Sequence, residues 1–183
     1  MSATEGKKAP AFSMPTDGGG STSLKDLKGQ MVVLYFYPKD STPGCTIEAC
    51  DFRDLMPDFS KIDATIIGVS KDSVKRHDNF KSKYELPFAL ASDAESDVCE
   101  RYGVWVEKSM YGRKYMGIER ATFLIDAKGT FRKVWRKVKV KGHADEVLAA
   151  IARLVMVGVR DADPVVRYGG EEVLLLLPGS SNA

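Results

Sequence analysis

A continuous apolar run at residues 31–37, Met-Val-Val-Leu-Tyr-Phe-Tyr, constrains the fold of this chain more than any other feature. It mixes β-branched and aromatic residues without polar alternation, which is typical of a strand buried on both faces of a sheet. A second such run lies at residues 64–70, and a polar-faced helix is predicted after it at residues 73–85. Buried strands that alternate with helices indicate an α/β protein whose sheet is flanked by helices.

Further along the chain the pattern changes from alternating strands and helices to a hairpin. Residues 87–91 predict a third strand, and residues 93–102 predict a helix. Residues 121–125 and 130–140 then form a predicted hairpin, and another helix is expected from His143 onward. A hairpin added to alternating strands and helices indicates a mixed, mostly covered sheet.

The overall composition limits the class of protein. The chain has 183 residues, enough for one domain with a proper core, and its formal charge of +2 favours neither nucleic acid nor a membrane as a partner. Residues 1–11 lack the apolar stretch of a secretory signal, and no apolar run is long enough to span a bilayer. Three cysteines are too few for a disulfide scaffold. We therefore expect a soluble cytoplasmic protein whose cysteines are mostly reduced.

Two cysteines follow the first buried run directly. Thr42 and Pro43 predict a helix start, with threonine at the N-cap and proline at the first helical position. Cys45 then falls in the opening turn, where free backbone N–H groups and the helix dipole stabilise an anion. That anion is a thiolate, the reactive form of cysteine. The placement predicts a thiol enzyme.

A thiol that attacks a peroxide needs further groups around it. Arg120 stands at the head of the predicted strand 121–125, and its planar fork of donors suits both oxygens of a peroxide. Thr42 offers a hydroxyl to the same oxygens, and Pro38 is expected to shape the pocket wall and limit water near the sulfur. With Cys45 and Cys50, these three residues make up the predicted site.

The spacing of the two cysteines sets a geometric condition. A sulfenic acid on Cys45 is protected from further oxidation if a second thiol condenses with it to a disulfide. Cys50 lies five residues on, about 7.5 Å along a helix and about 140° around it, which separates the Cα atoms by about 8 to 9 Å. A disulfide requires Cα atoms within about 7 Å. The helix must therefore unwind locally before the bond forms.

Other interpretations of the polar residues remain open. A pair of helical cysteines in a cytosolic protein is often simply a pair of small buried hydrophobes. A metal site is disfavoured because only His77 and His143 are available and no Cys-x-x-Cys occurs. We expect His77 to be solvated among its charged neighbours. Cys99 is expected to be a structural cysteine, with a backup resolving thiol as its functional alternative.

The run Pro38-x-x-x-Thr42-x-x-Cys45 resembles the active-site signature of the peroxiredoxins. With residues 42–50 and 117–126, it is similar to the bacterioferritin comigratory protein, or peroxiredoxin Q, subfamily over roughly residues 6–151. The resemblance implies a thioredoxin-like fold and a peroxidase that reduces hydrogen peroxide or organic hydroperoxides at the expense of thioredoxin.

Carried over by position, the resemblance implies a role for each site residue. Cys45 is the peroxidatic cysteine and Cys50 the resolving one, joined in an intrachain disulfide during the cycle. Pro38, Thr42 and Arg120 complete the pocket. The resemblance implies no metal, haem or flavin cofactor, and glutaredoxin or glutathione remains open as the reductant in place of thioredoxin.

The end of the chain departs from this subfamily. We assign residues 1–152 to the peroxiredoxin-like domain and residues 153–183 to a C-terminal extension. Residues 160–179 resemble the hairpin of GGDEF diguanylate cyclase domains, but so short a fragment is expected to have no cyclase activity. Its apolar part, residues 173–178, is expected to pack on its own domain or to pair with another chain. We expect a monomer or a weak homodimer.

Two other function classes compete with the peroxidase. The chain could be a redox-sensing or interaction protein, in which oxidation of Cys45 changes the helix and so a binding surface. It could also be a binding module for a cyclic dinucleotide built on the C-terminal extension. Sustained turnover with a reductant separates an enzyme from the sensor.

Overall fold

The computed structural model describes residues 3–161 of the chain. The strands are β1 (Ser13–Pro15), β2 (Ser21–Ser23), β3 (Met31–Phe36), β4 (Ala64–Ser70), β5 (Ala89–Ser92), β6 (Trp105–Met110), β7 (Arg113–Ile118), β8 (Ala121–Ile125) and β9 (Phe131–Trp135). The helices are α1 (Pro43–Asp54), α2 (Met56–Lys61), α3 (Val74–Tyr84), α4 (Val98–Arg101) and α5 (His143–Asp161).

Five strands form the central sheet in the order β5-β4-β3-β8-β9. β3 and β4 run parallel, as do β4 and β5, whereas β8 is antiparallel to both β3 and β9. The predicted mixed sheet is therefore confirmed. The two long apolar runs form its inner strands β3 and β4.

Both faces of this sheet are covered, which explains why β3 lacks polar alternation. Val33 and Tyr35 point into one core with side chains of α1, α2, α3 and α5. Val32, Leu34 and Phe36 point into a second core with the N-terminal segment and α4. Successive side chains of a strand face opposite sides of the sheet, so each alternate set needs an apolar layer of its own.

Several predicted boundaries differ from those observed. The helix expected at residues 93–102 is only the four-residue α4, because Asp93 accepts the Val98 and Cys99 N–H groups and holds the preceding segment as a turn. The strand expected to reach residue 140 ends at Trp135. The helix that carries Cys45 and Cys50 is short: α1 ends at Asp54, and α2 begins two residues later with Pro57 in its first turn.

One hairpin was not predicted at all. β6 and β7 pair with each other outside the central sheet, and most of their side chains are half-buried or exposed. An exposed ribbon carries no buried face, so its sequence lacks the apolar alternation that marks a strand. Its exposed large side chains are Met110 and Tyr111 at the tip and Tyr115 and Met116 along β7.

The last described element, α5, continues through residue 152 to Asp161, beyond the predicted domain boundary. Residues 162–183 lie outside the described part of the chain, and this segment includes most of the GGDEF-like stretch. Among residues 3–161, no helix has the length and apolar character needed to cross a membrane.

Candidate active site

Cys45 lies in the first turn of α1, where the chain leaves the carboxyl end of β3. Thr42 is the N-cap residue and Pro43 occupies the start of the helix, as the sequence predicts. The Thr42 side chain does not cap the helix; its Oγ1 donates a hydrogen bond to the Lys39 carbonyl oxygen at 2.9 Å. Cys45 is only 2% exposed, so its sulfur is largely withdrawn from water.

Arg120 reaches this sulfur from the neighbouring strand. It directly precedes β8, whose first residue Ala121 pairs with Phe36 at the end of β3. The Arg120 Nη2 group lies 3.3 Å from Cys45 Sγ. A Cβ atom on Gly44 would lie 3.2 Å from the same Nη2 atom, so glycine before the cysteine leaves room for the guanidinium. Arg120 and Cys45 therefore meet as the sequence predicts.

Glu48 is a third member of this group, and sequence analysis missed it. It lies on α1, three residues after Cys45 and therefore on the same helix face. Its Oε2 accepts a hydrogen bond from Arg120 Nη1. Burial raises the pKa of Glu48 to about 7, although Arg120 acts in the opposite direction. The spacing from Cys45 was the one signal in the sequence that could have identified it.

The guanidinium of Arg120 keeps its positive charge in this setting. Burial by itself lowers the pKa of Arg120, but the charges of Glu48 and Cys45 outweigh it, and the net shift is upward. Arg120 thus contacts two groups that can carry negative charge, a thiol and a carboxyl.

Two buried polar side chains near Cys45, Arg120 and Glu48 are uncharged. Tyr35 on β3 is fully buried, and burial raises the pKa of its phenol well above the ordinary value. Its hydroxyl and the Glu48 Oε1 atom have no hydrogen-bond partner among the described residues. His143 Nε2 lies 2.7 Å from Thr122 Oγ1, and burial lowers the pKa of His143 to about 4. Both Tyr35 and His143 are therefore neutral near pH 7.

A second cation lies near the thiol. Lys108 on β6 is half-buried, and burial lowers the pKa of its ammonium group, as does the positive charge of Arg120. Cys45 acts in the opposite direction on the same group. The unpredicted hairpin therefore brings a basic side chain into the electrostatic environment of the thiol.

The remaining predicted site residues occupy different positions. Cys50 is half-buried on α1, in the same unbroken helix as Cys45, and both thiols are free. Pro38 is exposed just after β3, and its role as a pocket wall stays a prediction. Within residues 3–161, no cluster of three or more His, Cys, Asp or Glu side chains could hold a metal ion.

Cys99 occupies the opposite side of the central sheet. It is fully buried in the core that contains Val32 and Leu34, whereas Cys45 belongs to the core of Val33 and Tyr35. Burial raises the pKa of the Cys99 thiol far above its ordinary value, which keeps it protonated. These properties agree with the structural cysteine that the sequence predicts.

The prediction that His77 is solvated is wrong. Its side chain is completely buried between α3 and the central sheet, and it contacts Asp40 and the Ala91 carbonyl oxygen. Its charged neighbours in sequence point elsewhere on α3, so local composition gave no sign of this burial.

Comparison with known proteins gives consistent similarities. The profile of the AhpC/TSA family matches residues 5–134. The putative peroxiredoxin bcp of Coxiella burnetii is 58% identical over 151 residues, which cover 82% of this chain and 100% of that protein. Peroxiredoxin Bcp of Bacillus subtilis is 53% identical over 80% of this chain and 93% of its own length.

Solved structures of related proteins have a similar fold. The bacterioferritin comigratory protein of Xanthomonas campestris, studied for alkyl peroxide reduction, matches with a TM-score of 0.75 and 50% identity, over 78% of this chain and 91% of that one. A cysteine-to-serine mutant of Xylella fastidiosa PrxQ matches with a TM-score of 0.79 and 41% identity, over 83% and 97%. The predicted thioredoxin-like fold is confirmed.

Proposed function

Because this chain belongs to the AhpC/TSA family, as a thiol-dependent peroxidase of the Bcp/peroxiredoxin Q group, we propose that Cys45 is the thiol that attacks the hydroperoxide. The observation that carries the proposal is the 3.3 Å contact between Arg120 Nη2 and Cys45 Sγ in the opening turn of α1. A cation and the free backbone N–H groups of a helix start both interact favourably with negative charge, and the thiolate is the reactive form of cysteine.

In the first step the Cys45 thiolate attacks one peroxide oxygen and the O–O bond breaks. The sulfur becomes a sulfenic acid, and the second oxygen leaves as water or an alcohol after taking up a proton. Arg120 and backbone N–H groups stabilise the charge that develops on the oxygens. Thr42 Oγ1 donates its hydrogen bond to the Lys39 carbonyl oxygen, so its lone pairs are available to accept a hydrogen bond from the peroxide.

In the second step Cys50 condenses with the sulfenic acid, releasing water and forming the Cys45–Cys50 disulfide. Both residues belong to one continuous helix, so α1 unwinds locally for the sulfurs to meet. Thioredoxin then reopens the disulfide by thiol exchange, with glutaredoxin or glutathione as alternative reductants. Hydrogen peroxide and organic hydroperoxides are the proposed substrates, which accords with the alkyl peroxide reduction described for the Xanthomonas relative.

Cellular location and assembly are part of the same proposal. A thiol cycle of this kind needs a reducing compartment, which supports a cytoplasmic enzyme. We propose a monomer or weak homodimer that requires no metal or organic cofactor for the two steps above, since sulfur alone carries the electrons.

A coupled assay tests the proposed function. The full chain receives thioredoxin, thioredoxin reductase and NADPH, and NADPH consumption is followed after addition of hydrogen peroxide or cumene hydroperoxide. We expect sustained turnover by the wild-type protein, none by Cys45→Ser, and wild-type turnover by Cys99→Ala as the matched cysteine control. A single oxidation event without turnover, whichever reductant is supplied, favours the redox sensor instead.

A further inference from the structure

A buried polar cluster lies behind the loop that joins β3 to α1, outside the thiol pocket. We call it the Asp40 cluster; its members are Tyr37, Asp40, Ser70, Asp72 and His77. All five side chains are buried. Burial of so many polar groups is unfavourable unless each finds a partner, so a cluster of this kind demands an explanation.

Asp40 is held at three points. Its Oδ1 accepts a hydrogen bond from the Tyr37 hydroxyl at 2.6 Å, and its Oδ2 lies 2.7 Å from His77 Nδ1. Its backbone N–H donates to Asp72 Oδ2 at 2.8 Å, and Ser70 donates to that same oxygen. The loop residue Asp40 is therefore tied to the residue that follows β3, to α3 and to the segment between β4 and α3.

The ring of His77 is clamped between two oxygens. Its Nε2 lies 3.2 Å from the Ala91 carbonyl oxygen, which can only accept, so Nε2 carries a proton. Its Nδ1 lies 2.7 Å from Asp40 Oδ2, the distance of a hydrogen bond between the ring and the carboxyl group. His77 thus connects the loop to β5. Neither the His77 ring nor the Asp40 carboxyl group can rotate without losing a hydrogen bond.

The loop that is held in this way is strained. Ser41 has a φ of +60°, a left-handed conformation that is unfavourable for a residue with a side chain. Such a conformation persists only where the surrounding structure enforces it. Ser41 lies between Asp40 and Thr42, so the contacts of Asp40 act directly on the backbone that positions Thr42 and the start of α1.

We propose that His77 is a positioning residue of the peroxidase, which acts through Asp40 to hold the loop at residues 38–42 in its peroxide-binding conformation. The inference rests on the proposed function, because it assumes that Thr42 and the first turn of α1 receive the peroxide. Displacement of reacting groups by about 1 Å can lower a rate by about a hundredfold, so a clamp outside the pocket can affect the chemistry.

Two substitutions at His77 separate the hydrogen bond from simple packing. The amide nitrogen of asparagine is one bond from Cγ, like Nδ1, so His77→Asn keeps a donor toward Asp40. The amide nitrogen of glutamine matches Nε2, so His77→Gln keeps the donor toward Ala91 but loses Asp40. Thr65→Val, which removes a hydrogen bond to Gln30 at the opposite end of the sheet, is the control.

The readout is the rate of Cys45 oxidation by hydrogen peroxide, compared with its rate of alkylation by iodoacetamide. We expect His77→Gln to slow oxidation by about ten- to a hundredfold, since the peroxide must be oriented by the loop, and to change alkylation far less. His77→Asn and Thr65→Val should oxidise at close to the wild-type rate. Thermal unfolding of each variant shows whether it is folded at the assay temperature.

Two results for the His77 variants would overturn the proposed positioning role. Equal oxidation rates for His77→Gln and wild type overturn the proposal, and so does an equal loss in the glutamine and asparagine variants, which would indicate packing alone. If both His77 variants unfold, Tyr37→Phe replaces them, because it removes one hydrogen bond to Asp40 and keeps the ring. Slower oxidation with unchanged alkylation then supports the clamp, and unchanged oxidation overturns it. A wild-type protein that does not react with peroxide refutes the proposed function instead.

Discussion

The guanidinium of Arg120 forms hydrogen bonds with two side chains, Cys45 and Glu48. How strongly the positive charge of Arg120 acts on each of them depends on whether Glu48 is protonated. A neutral carboxyl leaves the positive charge of Arg120 for the thiolate, whereas an ionised carboxylate competes for it. Burial favours the neutral form, which links the protonation of Glu48 to both stability and reactivity.

Glu48 should make the protein less stable as the pH rises. Its pKa is about 7 in the folded protein against an ordinary value of 4.5, so between these pH values the folded state retains a proton that the unfolded chain has lost. Raising the pH through this window therefore removes stability, by about 2 to 3 kcal/mol between pH 5 and pH 8. His143, whose pKa burial lowers to about 4, acts in the opposite direction over the same range. The loss due to Glu48 is therefore the difference between wild type and Glu48→Gln in urea unfolding at the two pH values. The exposed control Glu95→Gln should behave as wild type, and parallel losses in all three proteins would refute the account.

Replacement of Arg120 by lysine should be costly despite the conserved charge. Lysine is a single point charge and cannot serve Cys45 and Glu48 with a planar fork. We expect Arg120→Lys to slow oxidation of Cys45 by peroxide by about a hundredfold, the usual effect of losing one donor to a developing charge. Stopped-flow kinetics measures this rate. Arg132→Lys, which alters an exposed pair with Asp126, should leave it unchanged; an equal effect of the two substitutions would contradict the role of Arg120.

The residues that sequence analysis found and missed differ in a physical way. Arg120 and Cys45 follow from local patterns, since each adjoins a buried strand whose end could be predicted. Glu48 and His77 were missed because a buried charged residue is recognised by its partners, and those partners are distant in sequence. His77 lies 37 residues from Asp40, and Arg120 lies 72 residues from Glu48.

At the scale of elements, α1 has two incompatible tasks. It must be wound to hold Cys45 at its first turn beside Arg120, and it must unwind for Cys50 to reach the same sulfur. Fewer contacts hold its outer face, where Ile47 is 54% exposed. The stability of this helix should therefore set the rate of disulfide formation.

A matched pair of substitutions at Ile47 tests this dependence. Glycine is about 1 kcal/mol less favourable than alanine in a helix, equivalent to about fivefold in the unwinding equilibrium. After oxidation by one equivalent of peroxide, Ile47→Gly should form the Cys45–Cys50 disulfide about five times faster than Ile47→Ala. Rapid acid quenching followed by mass spectrometry gives both rates. Equal rates would mean that unwinding does not limit the step.

Elements were predictable in proportion to their burial. β3 and β4 were identified because both faces of each are covered, which leaves a continuous apolar run. The exposed β6–β7 hairpin has no continuous apolar run in its sequence, although it brings Lys108 near the thiol. Its existence follows from pairing between two strands, a property that a local pattern cannot express.

At the scale of the whole molecule, the central sheet separates two cores and assigns the cysteines to different sides. Cys45 faces the core beneath α1, while Cys99 is enclosed in the other core with α4. The two thiols therefore belong to separate cores, whereas Cys45 and Cys50 share one helix. The fold itself therefore favours Cys50 over Cys99 as the partner of Cys45.

The part of the C-terminal extension that follows α5, residues 162–183, should be dispensable for catalysis. The family profile ends at residue 134, and the Coxiella relative is matched over its entire length by 151 residues. We expect a chain that ends at Asp161 to retain the wild-type rate of peroxide turnover, measured by the coupled NADPH assay. Analytical ultracentrifugation of both chains shows in addition whether residues 162–183 affect assembly. A large loss of turnover in a truncated protein that remains folded would refute the proposed division of the chain.

The intact mass of the reduced protein after one equivalent of hydrogen peroxide tests the central claim most directly. We predict that wild type loses two hydrogen atoms, that Cys45→Ser is unchanged, and that Cys50→Ser gains oxygen as a sulfenic or sulfinic acid. If Cys50→Ser still loses two hydrogens, Cys99 is the resolving thiol and the unwinding of α1 is not needed. Oxidation of Cys45→Ser as rapid as that of wild type would contradict the assignment of Cys45 itself.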